Sequence, residues 1–231
     1  MLQNCHLAKS WMPDLEKIVL NFGEDKENIH EDFRLYLTSM PADYFPVAVL
    51  QNSVKLTTEP PRGMRANLKR SYGNMSQEYL EDSLKPEIWR KLLWGLAFFH
   101  ATIQERRKFG PLGWNIRYEF NDSDLDTSYT MLKLFLDSQD EVPWDALLYI
   151  TGHINYGGRV TDDNDRICLI STLSKYTQSD VLKENYKFSK SGIYYQLPDG
   201  NLQMYRDYIE KLPLNDNPEI FGLNDNANIK Y

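Results

Sequence analysis

Hydrophobic positions recur at helical spacing through the middle of the chain and lose that spacing near its ends. The opening "MLQNCHLAKSW" begins like the second half of a buried strand with no lead-in, as the start of a fragment would. Trp11, Leu15, Ile18, Val19 and Phe22 then fall on one face, and Gly23 ends the pattern, which predicts a helix. "FRLYL" (Phe33–Leu37) reads as a strand, "TSMPADYFP" as its turn-rich exit and "VAVLQ" as a further short apolar run. Strand, helix and strand within about fifty residues belong to a parallel α/β sheet.

At Glu59-Pro60-Pro61 the pattern changes, and from there to about residue 185 the chain reads as helices joined by structured loops. Met64, Leu68 and Tyr72 share a stripe. Pro86 stands at a first-turn position and opens a long helix through Ile88, Leu92, Leu96, Phe99 and Ile103. Trp89, Leu93, Trp94 and Phe98 widen its apolar surface until little can face water, so this helix should be central. Ser123-Asp124-Leu125-Asp126 resembles a capping box, Pro143 opens a shorter helix ended by Gly152, and "TDDND" (Thr161–Asp165) starts another. After Asn185 come a Tyr- and Pro-rich stretch, "SGIYYQLPDG", and a last helical segment over Leu202–Leu212.

With 231 residues, 42% of them hydrophobic, the chain can build a real core. A net charge of −7 argues against a general nucleic-acid or anionic-membrane binder, and no membrane partner is expected. Arg106-Arg107-Lys108, the one dense basic run, reads as favourable charge at a helix C-terminus. Cys5 and Cys168 are the only cysteines, so no disulfide framework is expected and the implied compartment is reducing and intracellular. The apolar stretch Leu92–Phe99 is far short of the roughly 20 residues that cross a bilayer, and no signal peptide is visible. Asn74-Met75-Ser76 and Asn121-Asp122-Ser123 match a glycosylation pattern too short to weigh.

No catalytic motif stands out. Gly157-Gly158-Arg159 lacks the spacing and lysine of a phosphate loop and reads as a tight turn, with Arg159 pairing Asp162, Asp163 or Asp165. His6, His30, His100 and His153 show no metal-ligand spacing, and His100 reads as a core histidine. On a strand, adjacent Cys5 and His6 would face opposite ways, which disfavours a thiolate–imidazole pair. The acids of "NDSDLD" and "TDDND" are explained by helix starts without metal or acid/base chemistry. One loop is unusual: "FGPLGWNIRYEF" (109–120) packs two glycines, a proline and four aromatics into twelve positions.

Taken together, "LQNCHLAKSWMPDLEKIV", "FRLYLTSMPADYFPVAVLQNSVKLTTEPPRGMRANL", "FFHATIQERRKFGPLGWNIRYEFNDSDL" and "INYGGRVTDDNDR" closely resemble the C-terminal motor region of a dynein heavy chain, in wording nearer the axonemal branch than the cytoplasmic one. The resemblance implies a mainly α fragment of an AAA+ module with a partial α/β N-terminal part. Residues 1–58 would be the C-terminal half of the large α/β subdomain of the sixth module, 59–185 its helical lid and 186–231 the start of an α/β C-terminal domain. In an active module the first strand ends in the acidic Walker B pair; at those positions stand Gln3 and Asn4. Neutral amides neither hold Mg²⁺ as carboxylates do nor accept a proton from water. Met40, with Thr38 and Ser39 beside it, falls where the family has a polar sensor residue, "ADYF" offers no arginine finger, and the phosphate loop would lie upstream of Met1.

The resemblance thus implies a non-catalytic structural and transmission part of an ATP-driven, minus-end-directed microtubule motor of cilia and flagella. No cofactor or metal is expected in these residues, with ATP and Mg²⁺ bound at other modules. Expected partners are neighbouring AAA+ modules, intermediate and light chains and, through the whole motor, microtubules, in the cytoplasm, cytoskeleton and axoneme. Retained regulatory nucleotide binding by the full module, or a free-standing helical interaction module, are the alternatives. Within this frame Phe109, Trp114, Tyr118 and Phe120 pin the loop to its flanking helices, while Gly110, Pro111 and Gly113 set its turns, forming a structural joint.

Overall fold

The computed structural model describes residues 1–24, 29–40, 42–56, 62–224 and 226–227, and its chain divides into two units at Pro60/Pro61. In the first unit, helix α1 (Met12–Glu24) buries Met12 and Leu15 against Cys5 and Val49, with Trp11, Val19, Leu37 and Phe45 around them. The parallel pairing expected here is a single step, Leu2 beside Leu37, closed by Leu2 N–H to Tyr36 O (2.8 Å) and Thr38 N–H to Leu2 O (2.9 Å). The run "VAVLQ" is helical rather than extended: it is α2 (Val47–Gln51), entered through Pro46. Five apolar residues are too few for spacing to separate helix from strand. Cys5 and His6 lie in a 3-10 turn (Cys5–Leu7), not on a strand.

The second unit is built around α5 (Pro86–Glu105), which starts with Pro86 and Glu87 in its first turn and is buried on nearly every face. It packs against α3 (Met64–Gly73), α4 (Gln77–Glu81), α6 (Asp122–Ser138) and α8 (Asp163–Ser174). One crossing is very close: a Cβ on Gly95 would stand 2.9 Å from Tyr176 O, so this position excludes larger residues unless the backbone moves. The cap of α6 is Asn121, whose capping box with Asp124 replaces the one expected at Ser123. After α7 (Trp144–Tyr149) the chain does not stop at Gly152 but continues as a π turn, Ile150–Asn155. Gly152 sits against α8, where a Cβ would meet Ile170 Cδ1 at 2.5 Å. Among the described residues the last α-helix is α9 (Leu202–Lys211), followed by a 3-10 turn at Pro218–Phe221.

No break in packing falls at 185/186, where the sequence suggested a boundary. Phe188, Tyr194, Tyr205, Ile209 and Phe221 belong to the same core as Leu68, Trp94 and Phe98. The later segment also clasps α3 along its length. Asp216 accepts the Met64 amide at its start (3.0 and 3.2 Å), and Glu210 pairs with Arg65 and Lys69. Arg206 donates to the Tyr72, Gly73 and Met75 carbonyls at its end (each 3.1 Å). Both ends of α3, where backbone groups lack helical partners, are thus satisfied by side chains more than 130 residues away.

Candidate functional site

Two places carried the functional reading, and they lie in different units. In the first, Gln3 and Asn4 follow the paired residue Leu2 and are both exposed. Asn4 takes a left-handed conformation (φ 56°, ψ 42°), and its amide donates to Thr38 Oγ1 at 3.1 Å. Thr38 also accepts the Cys5 amide on its carbonyl (2.9 Å). The Thr38 hydroxyl is therefore occupied in holding the chain turn. Ser39 donates to Met40 O, and the Met40 amide donates to His6 Nδ1 at 3.1 Å, leaving the Met40 side chain exposed. Among the described residues no group of three or more His, Cys, Asp or Glu side chains could hold a metal ion.

The second place is the loop 109–120. Beyond α5 the backbone tightens into a 3-10 turn over Arg106–Leu112, interrupted at Gly110 (φ 53°, ψ −132°), a conformation L side chains rarely adopt. The Gly113 and Trp114 amides return to Gly110 O at 2.9 and 3.0 Å. A Cβ on Gly113 would stand 1.8 Å from Arg106 O, so only glycine fits there. Pro111 is exposed and only shapes the turn, while Phe109, Trp114, Tyr118 and Phe120 are all buried. Trp114 meets Tyr118 and Phe120 with ring centroids 5.8 and 5.9 Å apart, Phe120 meets Tyr156, and Phe109 meets Phe221 at 5.2 Å. The Trp114 indole N–H donates to Ile103 O in the last turn of α5 (3.0 Å), and the Gln104 amide to Phe120 O (2.9 Å).

Polar side chains do as much as rings. Arg106 stands at the C-terminal cap of α5, where the basic run places it, and is buried beneath the loop. Its Nε and Nη2 donate to Gly113 O (3.1 and 2.9 Å), Nη1 donates to Phe221 O, and its guanidinium lies 5.2 Å from the Trp114 ring. Burial pushes its pKa below the ordinary arginine value, against the favourable fields of Cys168 and Asp165, though such a group stays charged. Asp165, also buried, accepts the Asn115 and Ile116 amides (3.0 and 3.2 Å). Asp162 accepts the Asp165 amide as the α8 cap and the Asn115 side chain (3.1 Å), and these bonds hold its carboxyl below the usual range. Helix-start acids thus also staple the loop, a role that pattern alone does not disclose.

Arg159 likewise pairs elsewhere than expected, with Asp124 Oδ1 of the α6 capping box at 2.9 Å. The π turn packs against α6, and Arg159 follows it in the 3-10 turn Gly157–Arg159. His100 is a core residue: its Nδ1 lies 2.9 Å from Tyr156 Oη, and burial, helped by Arg70, lowers its pKa to about 3. Burial holds the Tyr156 hydroxyl well above its usual pKa, so both groups are uncharged near neutrality. A cleft of 460 Å³ lies at the start of α3, but Asp216 within it already binds Met64 N and Lys108 Nζ (3.0 Å). The arrangement immobilises a loop.

A mainly helical body wound on one central helix, preceded in the chain by a short α/β piece with a parallel pairing, fits the helical lid of an AAA+ module with part of its α/β subdomain. Two family models match, the dynein heavy chain AAA lid domain over residues 89–227 and the dynein heavy chain region D6 P-loop domain over residues 1–57. The chain belongs to the dynein heavy chain family. It is 52% identical over 230 residues to the human dynein axonemal heavy chain 6, covering 100% of this chain and 6% of that one. It is similarly 52% identical to human dynein axonemal heavy chain 1 and 51% identical to human dynein axonemal heavy chain 3, over 99% of this chain in each case. The chain spans only 5% and 6% of those relatives' lengths. Within residues 1–57 the sole glycine is Gly23, so those residues contain no Gly-rich phosphate loop.

Proposed function

We propose that this chain is a non-catalytic transmission part of a dynein heavy chain motor ring, serving ATP-driven, minus-end-directed microtubule movement in the axoneme. In this reading residues 1–58 close the α/β subdomain of the sixth module and residues 59–185 form its lid. Residues 186–227, sharing the lid's core, move with it. Its immediate partners are the neighbouring modules of the same heavy chain; intermediate and light chains and microtubules are reached through the whole motor, with ATP and Mg²⁺ bound at other modules.

The observation that supports this most is the loop 109–120, which is tied to α5 through Trp114 and Gln104, to α8 through Asp165 and to the Pro218–Phe221 turn through Arg106. A loop fixed to three elements transmits a displacement as a rigid body instead of absorbing it. The amides at Gln3 and Asn4 support the non-catalytic part of the reading.

The test is a Gln3→Ala/Asn4→Gly heavy chain, glycine being chosen because position 4 is left-handed. Microtubule-stimulated ATP turnover and gliding speed should stay within about twofold of wild type, far from the roughly 10²-fold losses of removed catalytic groups. A loss of that larger size, or loss of saturable Mg²⁺-dependent binding of a fluorescent ATP analogue at this module, would overturn the assignment in favour of a nucleotide site.

A further inference from the structure

The stretch Tyr186–Gln196 folds back on itself, with Phe188 N–H to Tyr194 O (2.8 Å) and Gln196 N–H to Tyr186 O (2.7 Å), and turns at Ser189–Gly192, where Gly192 is left-handed (φ 76°). Into this turn reaches a carboxylate from 28 residues further on. Glu219 Oε2 accepts the Ser191 amide at 3.0 Å and its Oε1 accepts the Ser191 hydroxyl. Burial would raise the Glu219 pKa, but bonds from the Ser191 hydroxyl and amide, the Ser189 hydroxyl and the Lys190 amide outweigh it and hold the group ionised. Lys187 stretches over the turn, its ammonium 3.3 Å from where a Gly192 Cβ would stand.

Glu219 lies in the 3-10 turn Pro218–Phe221, whose Pro218, Ile220 and Phe221 are buried. Phe221 O is the acceptor for buried Arg106, and Arg106 holds Gly113 of the loop. The contact between Ser191 and Glu219 is therefore the exposed end of a chain of bonds that runs inward to the joint. Ser191 and Lys190 themselves face solvent, at the tip of a turn that is locally basic on a chain of net charge −7.

We propose that Ser191 is a phosphorylation site, and that the phosphate unlatches Glu219 and loosens the Pro218–Phe221 turn from the joint. The donor is a nucleoside triphosphate and the partner a serine kinase drawn to the Lys187/Lys190 turn. The Ser191 oxygen forms a bond to the γ-phosphorus while the bond to the nucleoside diphosphate breaks; the hydroxyl proton leaves to the kinase's base. The product carries about −1.5 to −2 charges where a carboxylate now accepts the hydroxyl's hydrogen. Repulsion replaces a charge-assisted hydrogen bond, and Lys187, already over the turn, is placed to pair with the phosphate instead.

The test has two arms, both on the intact heavy chain. Incubation with Mg-ATP and a basic-site-directed serine kinase, followed by peptide mass analysis, should place phosphate on Ser191; phosphate on other exposed serines but never there would overturn the proposal. Heavy chain phosphorylated at Ser191 is then compared by hydrogen exchange with unmodified chain, with Ser191→Ala and with phosphorylated Glu219→Gln. Exchange over 217–223 should accelerate about tenfold or more in the phosphorylated chain, the size of one lost bond to a charged group, and by less in Ser191→Ala. Glu219→Gln should suppress most of the difference that phosphate makes. Equal acceleration by Ser191→Ala, or unchanged exchange on phosphorylation, would show that charge at Ser191 does not work the latch.

Discussion

Replacing Trp114 by alanine should release the loop 109–120 without touching any nucleotide site. The indole is 4% exposed, meets Tyr118 in an edge-to-face contact and Phe120 at a tilt, lies under Arg106 and donates to Ile103 O. Truncating a buried tryptophan costs about 3–5 kcal/mol, and the Ile103 carbonyl loses a bond worth about 1 kcal/mol. Taking about 4 kcal/mol as the local cost, amide exchange across 109–120 should rise by roughly 10²–10³-fold if the loop opens on its own. Trp114→Phe, which keeps most of the ring area and loses only the N–H, should fall between wild type and alanine. The motor-level assay pairs gliding speed with ATP affinity in the same preparation: speed should fall while affinity stays nearly unchanged. Unaltered exchange in the loop would refute the energetic argument, and an ATP-affinity loss matching the motility loss would refute the joint.

Gly113→Ala should also open the loop, because a Cβ 1.8 Å from Arg106 O forces the backbone to move; a local cost of about 3 kcal/mol or more is expected, read by the same exchange experiment. Arg206→Met removes the donor to three carbonyls at the end of α3 and should raise exchange in 64–75 by one to two orders of magnitude, about 1.5–3 kcal/mol, with little change in α6. His100 gives a pH dependence. Its folded pKa near 3 lies below the ordinary 6.5, so the unfolded chain binds the proton more readily; the stability it contributes is complete above about pH 6.5 and declines as pH falls toward 3. His100→Asn should flatten the loss of α5 protection between pH 6.5 and 4.5, after correction for intrinsic exchange, and an unchanged slope would contradict the burial argument.

The helices that proved legible were those in which one local rule decided the outcome. Pro86 followed by apolar residues on every face can only be the start of a buried helix, and α5 runs from that proline to Glu105. The stripe of Met64, Leu68 and Tyr72 likewise forms the buried face of α3. Where two rules compete, sequence is silent: "VAVLQ" satisfies both a short strand and a short helix, and tertiary packing of Val49 into the small N-terminal cluster selects the helix. The π turn after α7 was hidden for another reason. Gly152 suggests a stop, but here it provides the close approach to α8 that lets the chain go on winding.

The joint shows the same division between residue type and residue partner. That Gly110, Gly113 and four aromatics make a packed, non-regular loop follows from conformational freedom and apolar area, both properties of the residues themselves. What the charged residues do depends on which carbonyl or amide the fold delivers to them, often from far along the chain. Arg106, Asp165 and Arg159 all looked like helix-end or turn charges, since each lies where dipole arguments already account for it. In the fold Arg106 reaches Phe221 O, 115 positions away, and Asp165 reaches the Asn115 amide, 50 positions away. A charge with a sufficient local explanation therefore conceals its long-range one. In a lid whose proposed role is to move as a unit, those long-range bonds are the ones that would make it do so.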